Sequence, residues 1–421
     1  MHSSLSLKGK KVTVIGAARS GVAAANLVAQ LGGYAKISEF GPEAKVANDL
    51  KEADPKVVLE TGGHTRGFIE DSDYIVLSPG VRQDVQPVQW ARAKNIPVMG
   101  EVELGFLFCR APIIAITGSN GKTTVSTLIA EVLKQAGRPV CLCGNIGSPL
   151  SKHVLKLTAE DTVVLEVSSF QLESTVRFRP HVGVLLNFSQ NHLDRHKDLD
   201  EYFEAKWRMF VNQTSDDFAV INIESPRMKA RAGSLKAQIS FFNAPEKISL
   251  NANPNYLAVI DVARVLGIPS AVCQEVFKNF KGVEHRMELV RTLDGVDYIN
   301  DSKSTTAEAT RWALERTTKP VWMICGGRDK HIDYSVLKDL VKKKVKTVLT
   351  IGEAKDKIRT AFLGAVPVEL CPSLEDAVGF ARKNAKPGEC VLLTPMCASF
   401  DMFNNFEHRG KVFKEIVNKL T

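Results

Sequence analysis

Residues Ala115–Thr127 read AITGSNGKTTVST, a glycine-rich turn between an apolar strand, IIAIT, and a helical pattern, TTVSTLIAEVL. A strand that turns through glycines into a helix aims backbone N–H groups and a positive helix end at one point, where a phosphate can sit. The common phosphate loop places four residues between its first glycine and Gly-Lys-Ser/Thr. Here only Ser119 and Asn120 separate Gly118 from Gly121-Lys122-Thr123. The context predicts a nucleotide cradle formed by Gly118, Ser119, Asn120, Gly121, Lys122, Thr123 and Thr124. Lys122 would reach the terminal phosphates and Thr123 would offer its hydroxyl to magnesium. A mere tight corner is the plain alternative, and a lysine with two threonines weighs against it.

Around this loop, short β-branched runs alternate with helical patterns: KVTVIG then GVAAANLVAQLG, TVVLEVSS, VGVLLN, WMICGG, VLTIGE and CVLLTP. That rhythm predicts βαβ units and parallel sheets whose ligands lie beyond the carboxyl ends of the strands. A chain of 421 residues exceeds one ordinary domain. Breaks at CRAP (Cys109–Pro112) and FKGVEHRMELV (Phe280–Val290) divide it into three α/β domains, 1–105, 106–284 and 285–421. The expected architecture is a Rossmann-like first domain, a P-loop ATPase-like central domain with a parallel sheet, and a Rossmann-like third domain.

Composition is that of a folded globular protein, with 44% hydrophobic and 24% charged residues. The net charge of +8 is dispersed, and the densest basic run, Lys342-Lys343-Lys344 with Lys346, reads as a solvated helix end rather than a nucleic-acid patch. Eight cysteines without a Cys-x-x-Cys pair predict reduced, buried thiols in a reducing cytosol and no zinc site. No apolar h-region precedes the first strand and no apolar run reaches 18 residues, so neither a signal peptide nor a membrane span is expected.

Further segments carry chemistry. VVLEVSSFQLE ends a buried strand in a carboxylate, Glu166, which burial makes costly unless a metal or partner offsets it. VGVLLNFSQNHLDRH puts Asn187, His192 and Asp194 beyond another strand end, and the nearby phosphate loop makes His192 a candidate metal ligand. YFEAKWRMF carries Lys206 among aromatic residues, ordinarily a snorkelling surface lysine. VIGAARSG lacks the middle glycine of the dinucleotide fingerprint, and with Glu39 downstream it fits a nucleotide-diphosphate pocket about as well as an NAD site. In the third domain Asp301, Lys303, Arg328 and Lys330 follow predicted strands, a placement suited to an anionic ligand.

TGSNGKTT, EVSSFQLE, NxxxxHLDRH, HR at 285–286, NDSKSTT and GGRDK occur in an order that resembles the Mur ligase family along nearly the whole chain. The segments SSFQLE and CASFDMFNNFEHRG are most similar to the members that join D-glutamate to UDP-N-acetylmuramoyl-L-alanine in peptidoglycan precursor biosynthesis. The resemblance implies a bacterial cytoplasmic enzyme, a monomer, that uses ATP and magnesium, two ions being expected. It implies Thr123, Glu166, His192 and a carbamylated Lys206 as metal ligands, with Lys122 and Lys303 near the reacting groups. Asn255, Arg286 and Asp301 would contact ATP. Arg19, Ser20, Ser38, Glu39, Ser78 and Gly80 would contact the UDP substrate, with Asn145 meeting substrate or metal-bound water. Thr305, Lys330, Ser399 and Phe406 would form the D-glutamate pocket, and the third domain would close through a hinge near 282–288. Three positions depart from the family pattern: Asn191 stands where an acid is common, NANPN (251–255) retains only Asn255 of the adenine segment with Ala252 inside it, and Met396 adds bulk near the amino-acid pocket. A ligase for a different amino acid, a non-catalytic nucleotide-binding relative and an NAD oxidoreductase are the alternatives.

Overall fold

The computed structural model describes residues 5–189, 195–243, 253–280, 282–329 and 332–421. Five strands form the first sheet: β1 (Lys11–Ile15), β2 (Tyr34–Glu39), β3 (Val58–Thr61), β4 (Tyr74–Leu77) and β5 (Val98–Gly100). All are parallel, in the order β3-β2-β1-β4-β5. The second sheet is also parallel and contains β6 (Ile113–Thr117), β7 (Val140–Gly144), β8 (Thr162–Glu166), β9 (Val182–Leu185), β10 (Phe218–Asn222) and β11 (Gln238–Phe242). Its order, β11-β10-β9-β6-β8-β7, places β6 and its loop centrally between β9 and β8. The third comprises β12 (Glu288–Leu293), β13 (Val296–Asn300), β14 (Val321–Gly326), β15 (Val345–Ile351), β16 (Val368–Leu370) and β17 (Cys390–Leu393), with only the β12–β13 pair antiparallel.

The β-branched runs form these strands for the reason their composition suggested. Every residue of β6 is buried, as are all four of β9 and all six of β14, because helices cover both faces and leave no polar side for alternation. The three-domain α/β expectation holds: the described residues form three sheets, two of them in a compact unit ending at Phe280 and one in the unit that follows. All eight cysteines are unpaired, and all but Cys141 are buried. Among the described residues no helix is long and apolar enough to cross a membrane.

Within the first unit, one hydrophobic core runs from Leu7 to Ala237 and so joins the first two sheets. The helix Glu101–Phe108 is its keystone. A Cβ on Gly105 would lie 2.8 Å from the Leu150 side chain, so glycine is required for that approach. The same helix buries two carboxylates. Glu101 accepts from the Ser151 amide at 2.8 Å and its hydroxyl at 2.6 Å, and burial raises its pKa. Glu103 accepts three successive backbone N–H groups, from Val176, Arg177 and Phe178, at 2.8–3.0 Å. Replacing Glu103 with alanine removes the acceptor of all three, the buried Phe178 amide among them, a loss of about 2–4 kcal/mol. Glu103→Ala is expected to lower the thermal unfolding midpoint by on the order of 5–10 °C, as read by calorimetry.

Candidate active site

The carboxyl ends of β6, β8 and β9 bring the central candidates together. The loop after β6 turns through Gly118 (φ 154°) and Gly121 (φ 82°), conformations that disfavour a side chain. A Cβ on Gly121 would also stand 2.6 Å from Asn255 Oδ1, which places Asn255 directly against the loop. The segment after β9 braces the other side. Asn187 Oδ1 accepts the Asn120 amide at 2.8 Å while its Nδ2 donates to the Asn120 carbonyl at 3.1 Å. Ser119 Oγ accepts the Ser189 amide at 3.0 Å and donates to the Ser189 carbonyl at 3.1 Å. The loop is therefore preorganised by its neighbours, and Thr123 is a buried residue in the first turn of the following helix, Lys122–Gln135.

Two lysines converge on one carbonyl. Lys122 Nζ donates to Gly118 O at 2.8 Å and to Ser119 O at 3.1 Å. Lys206 Nζ donates to the same Gly118 O at 3.0 Å and lies 4.6 Å over the Tyr202 ring. Lys206 is only 1% exposed, so it is not the snorkelling surface lysine its sequence context would ordinarily suggest. Burial, reinforced by the charge on Lys122, pushes its amine well below the usual lysine range. A downward shift favours the unprotonated amine, the form that is nucleophilic.

Glu166 pairs alongside Ile116 of β6, and the Asn145 amide side chain donates to its Oε1 at 2.7 Å. Its other oxygen, Oε2, is buried with no hydrogen-bond partner among the described residues. An orphaned carboxylate oxygen next to a phosphate loop is the donor a hard cation seeks, so this donor set fits magnesium. The candidate His192, with Asn191 and Asp194, lies outside the described residues, as do Ala252 and Lys330.

In the first sheet, the ends of β1, β2 and β4 gather the remaining first-unit candidates. Gly16 (φ 95°) approaches Ser78 so closely that a Cβ would sit 3.0 Å from the serine Cβ. Glu39 accepts the Ala17 amide at 2.8 Å and the Gly41 amide at 2.8 Å, holding the loop before Arg19 and Ser20. Ser38 is fully buried, and its hydroxyl engages Glu60 at 2.6 Å and His64 at 2.7 Å. Gly80 O accepts from Arg195 at 3.2 Å, and Arg195 also pairs with Glu173 at 3.1 Å.

The third sheet holds its own cluster beyond β13, β14 and β17. Asp301 is 1% exposed; its Oδ1 accepts the Met287 amide at 3.1 Å and its Oδ2 accepts from Ser304 Oγ. Burial raises its carboxyl from 3.8 to about 6, against opposing hydrogen bonds and the Arg286 charge. Arg286 Nε is buried without a hydrogen-bond partner among the described residues. Lys303 Nζ lies 5.7 Å over the Phe406 ring, and Thr305 donates its amide to Lys303 O at 2.9 Å. Ser399 is buried, and its carbonyl accepts the Phe403 amide at 2.8 Å. Met396 is fully buried in the core with a left-handed backbone (φ 59°), behind Ser304, to whose carbonyl its amide donates at 2.9 Å.

Sequence reasoning missed Arg409 and Tyr202. The Arg409 guanidinium is wholly buried, donating to Ser302 Oγ at 3.0 Å, Ser302 O at 2.9 Å and Cys397 O at 3.2 Å, and burial lowers its pKa to about 10. It ties the helix Phe406–Lys419 to the loops after β13 and β17. The Tyr202 hydroxyl meets Ser119 Oγ at 3.3 Å, a contact whose only sequence signal is one helical turn of spacing from Lys206.

Comparison with known proteins identifies the family of the three domains. Residues 10–100 match the MurD-like N-terminal domain of Mur ligases, 116–261 the Mur ligase middle domain, and 285–397 the Mur ligase glutamate ligase domain. The chain is 39% identical to the UDP-N-acetylmuramoylalanine--D-glutamate ligase of Pelotomaculum thermopropionicum, over 98% of each chain. It is likewise 39% identical to the protein of that name from Koribacter versatilis, over 99% of each. Among solved structures it shares its fold with a UDP-N-acetylmuramate-alanine ligase from Thermotoga maritima, with a TM-score of 0.60 at 16% identity over 97% of this chain and 99% of that one. The MurF ligase from the same organism, solved with ADP, gives a TM-score of 0.59 at 15% identity over 100% and 97%. The identity over nearly full length and the three matched domains together establish that the chain belongs to the Mur ligase family.

Proposed function

We propose that the chain joins D-glutamate to UDP-N-acetylmuramoyl-L-alanine at the expense of ATP, in peptidoglycan precursor biosynthesis in the bacterial cytoplasm. The observation that carries the reading is the buried Glu166 and Lys206 pair flanking the short phosphate loop, in a chain whose relatives named for this reaction match it end to end.

The substrate carboxylate attacks the γ-phosphate of ATP and gives an acyl phosphate with release of ADP. The D-glutamate amine then attacks the acyl carbon, the amide forms, and inorganic phosphate leaves with the electrons of the broken C–O bond. Two anions must approach each other in the first step, and Lys122 with the loop N–H groups offsets that repulsion. To do so Lys122 exchanges its bonds to Gly118 O and Ser119 O for phosphate oxygens. Thr123, Glu166 and His192 would hold magnesium, with Lys206 as its carbamate. When bound, the metal supplies Lewis-acid polarisation of the phosphate oxygens.

Carbamate formation suits the environment of Lys206. The unprotonated amine attacks carbon dioxide and releases one proton, turning a costly buried cation into an anion that would help hold the metal. Asn145 orients Glu166 through their 2.7 Å hydrogen bond. We assign Arg19, Ser20, Ser38, Glu39, Ser78 and Gly80 to the UDP substrate, and Asn255, Arg286 and Asp301 to the nucleotide. Thr305, Lys330, Ser399 and Phe406 are assigned to D-glutamate, with Lys303 near the reacting groups. The protein is taken to act as a monomer.

The deciding assay is release of ADP and phosphate from ATP with magnesium and UDP-N-acetylmuramoyl-L-alanine across a panel of amino acids. Release that depends on D-glutamate is expected; release with another amino acid moves the specificity, and ATP binding without release overturns the ligase reading. Lys206→Ala should lower kcat by on the order of 10²–10³. With ¹³C-bicarbonate, the wild type should show a carbamate resonance that Lys206→Ala lacks.

Asp301 gives a pH-dependent test. Its folded pKa, about 6, lies above the 3.8 of a free carboxyl, so the stability it contributes is fully present below about pH 4 and lost as pH rises through 6. At neutral pH its ionisation costs about 3 kcal/mol. Asp301→Asn should therefore be more stable than the wild type at pH 7, lose that advantage by pH 4 in denaturant titrations, and lose ligase activity.

A further inference from the structure

Lys122, Glu166 and Lys206 gather at the carboxyl edge of the second sheet. A separate cavity of about 530 Å³ opens at the opposite edge. Its walls come from the residues that enter three neighbouring strands: Pro112 and Ile113 at the start of β6, His181 before β9, and Asp217 before β10. Phe106 and Leu107, at the end of the helix Glu101–Phe108, supply an apolar side. Arg110, Arg177 and Arg179 all line the same space.

These arginines have unequal commitments. Arg179 is held by the buried Asp217 at 2.5 Å and by Thr214 Oγ1 at 2.6 Å, and Asp217 also lies 3.5 Å from His181. That network neutralises Arg179 and fixes the floor. Arg110 and Arg177 are exposed, and their guanidinium groups make no hydrogen bond or ion pair among the described residues. The Arg177 backbone is nevertheless fixed, because its amide is one of the three that Glu103 accepts. Among the described residues, two guanidinium groups without a partner thus share a partly apolar cavity whose one lining carboxylate, Asp217, is already paired.

We propose that this cavity is a second ligand site that binds an organic phosphate, a phosphomonoester carrying an aromatic or apolar group. Arg110 and Arg177 take the phosphoryl oxygens, because the guanidinium fork matches their geometry and spacing. The apolar portion lies against Phe106, Leu107 and Pro112. The cavity volume is in the range of small-molecule pockets, and its low-dielectric wall strengthens the charge interaction relative to open surface. The proposal does not rest on the ligase reading, since none of these side chains is assigned to the reaction.

The test is calorimetric titration of the full chain with phenyl phosphate, with inorganic phosphate, benzoate and phenol as comparators. Saturable binding of phenyl phosphate is expected in the wild type and in Lys122→Ala, which separates it from binding at the phosphate loop. In Arg110→Gln/Arg177→Gln the affinity should fall at least tenfold, while the ATP-dependent activity without phenyl phosphate stays at the wild-type level. Both arginines are exposed, and the Lys/Lys double variant keeps the charge as a folding control, with intermediate affinity expected. Affinity unchanged in the Gln/Gln variant, binding abolished by Lys122→Ala, or benzoate bound as tightly as phenyl phosphate would each overturn the proposal.

Discussion

Charge held out of water at the ends of parallel strands is the constraint on which this structure turns. Glu166 and Lys206 are each 1% exposed, as is Asp301, and Arg409 is wholly buried. An unpaired charge in such a place is costly, and the protein meets that cost in different ways. Arg409 finds an acceptor for each of its three nitrogens in two carbonyls and a hydroxyl, which makes it a structural tie. Glu166 is satisfied on one oxygen only, and Lys206 by a single carbonyl that Lys122 also uses. Incomplete satisfaction marks the groups that await a ligand, and complete satisfaction marks those that hold the frame.

The frame follows from the same logic. Parallel sheets are covered on both faces, so their strands are uniformly apolar and only their ends can carry chemistry. In the second sheet the carboxyl edge carries the phosphate loop, and the opposite edge carries the arginine cavity. Between the first two sheets, the buried carboxylates of Glu101 and Glu103 replace what would otherwise be loose apolar contact with directed hydrogen bonds. Stability and function draw on one resource, since Asp301 destabilises its domain when ionised and still stands where a nucleotide contact is assigned.

Much of the fold was legible because βαβ rhythm is a local pattern. The strand IIAIT, the glycine turn and the helix after it could be placed from one short contiguous stretch. Glu166 could be singled out because a carboxylate ending an apolar run breaks the pattern. Lys206 was legible only through family resemblance: in a helix, its burial depends on Gly118, 88 residues away. Arg409 and the arginine cavity left no signal, since their partners come from separate strand ends and a lone charged residue ordinarily reads as solvated.

The amino-acid sequence by itself determined the secondary structure, the parallel sheets and the position of the phosphate loop, because periodicity, β-branching and turn glycines act over a few neighbouring residues. Only the tertiary structure decided which charges are buried, which are satisfied and which are left wanting a partner. Desolvation and hydrogen bonding depend on atoms brought together from distant segments, and a linear pattern carries no record of that proximity.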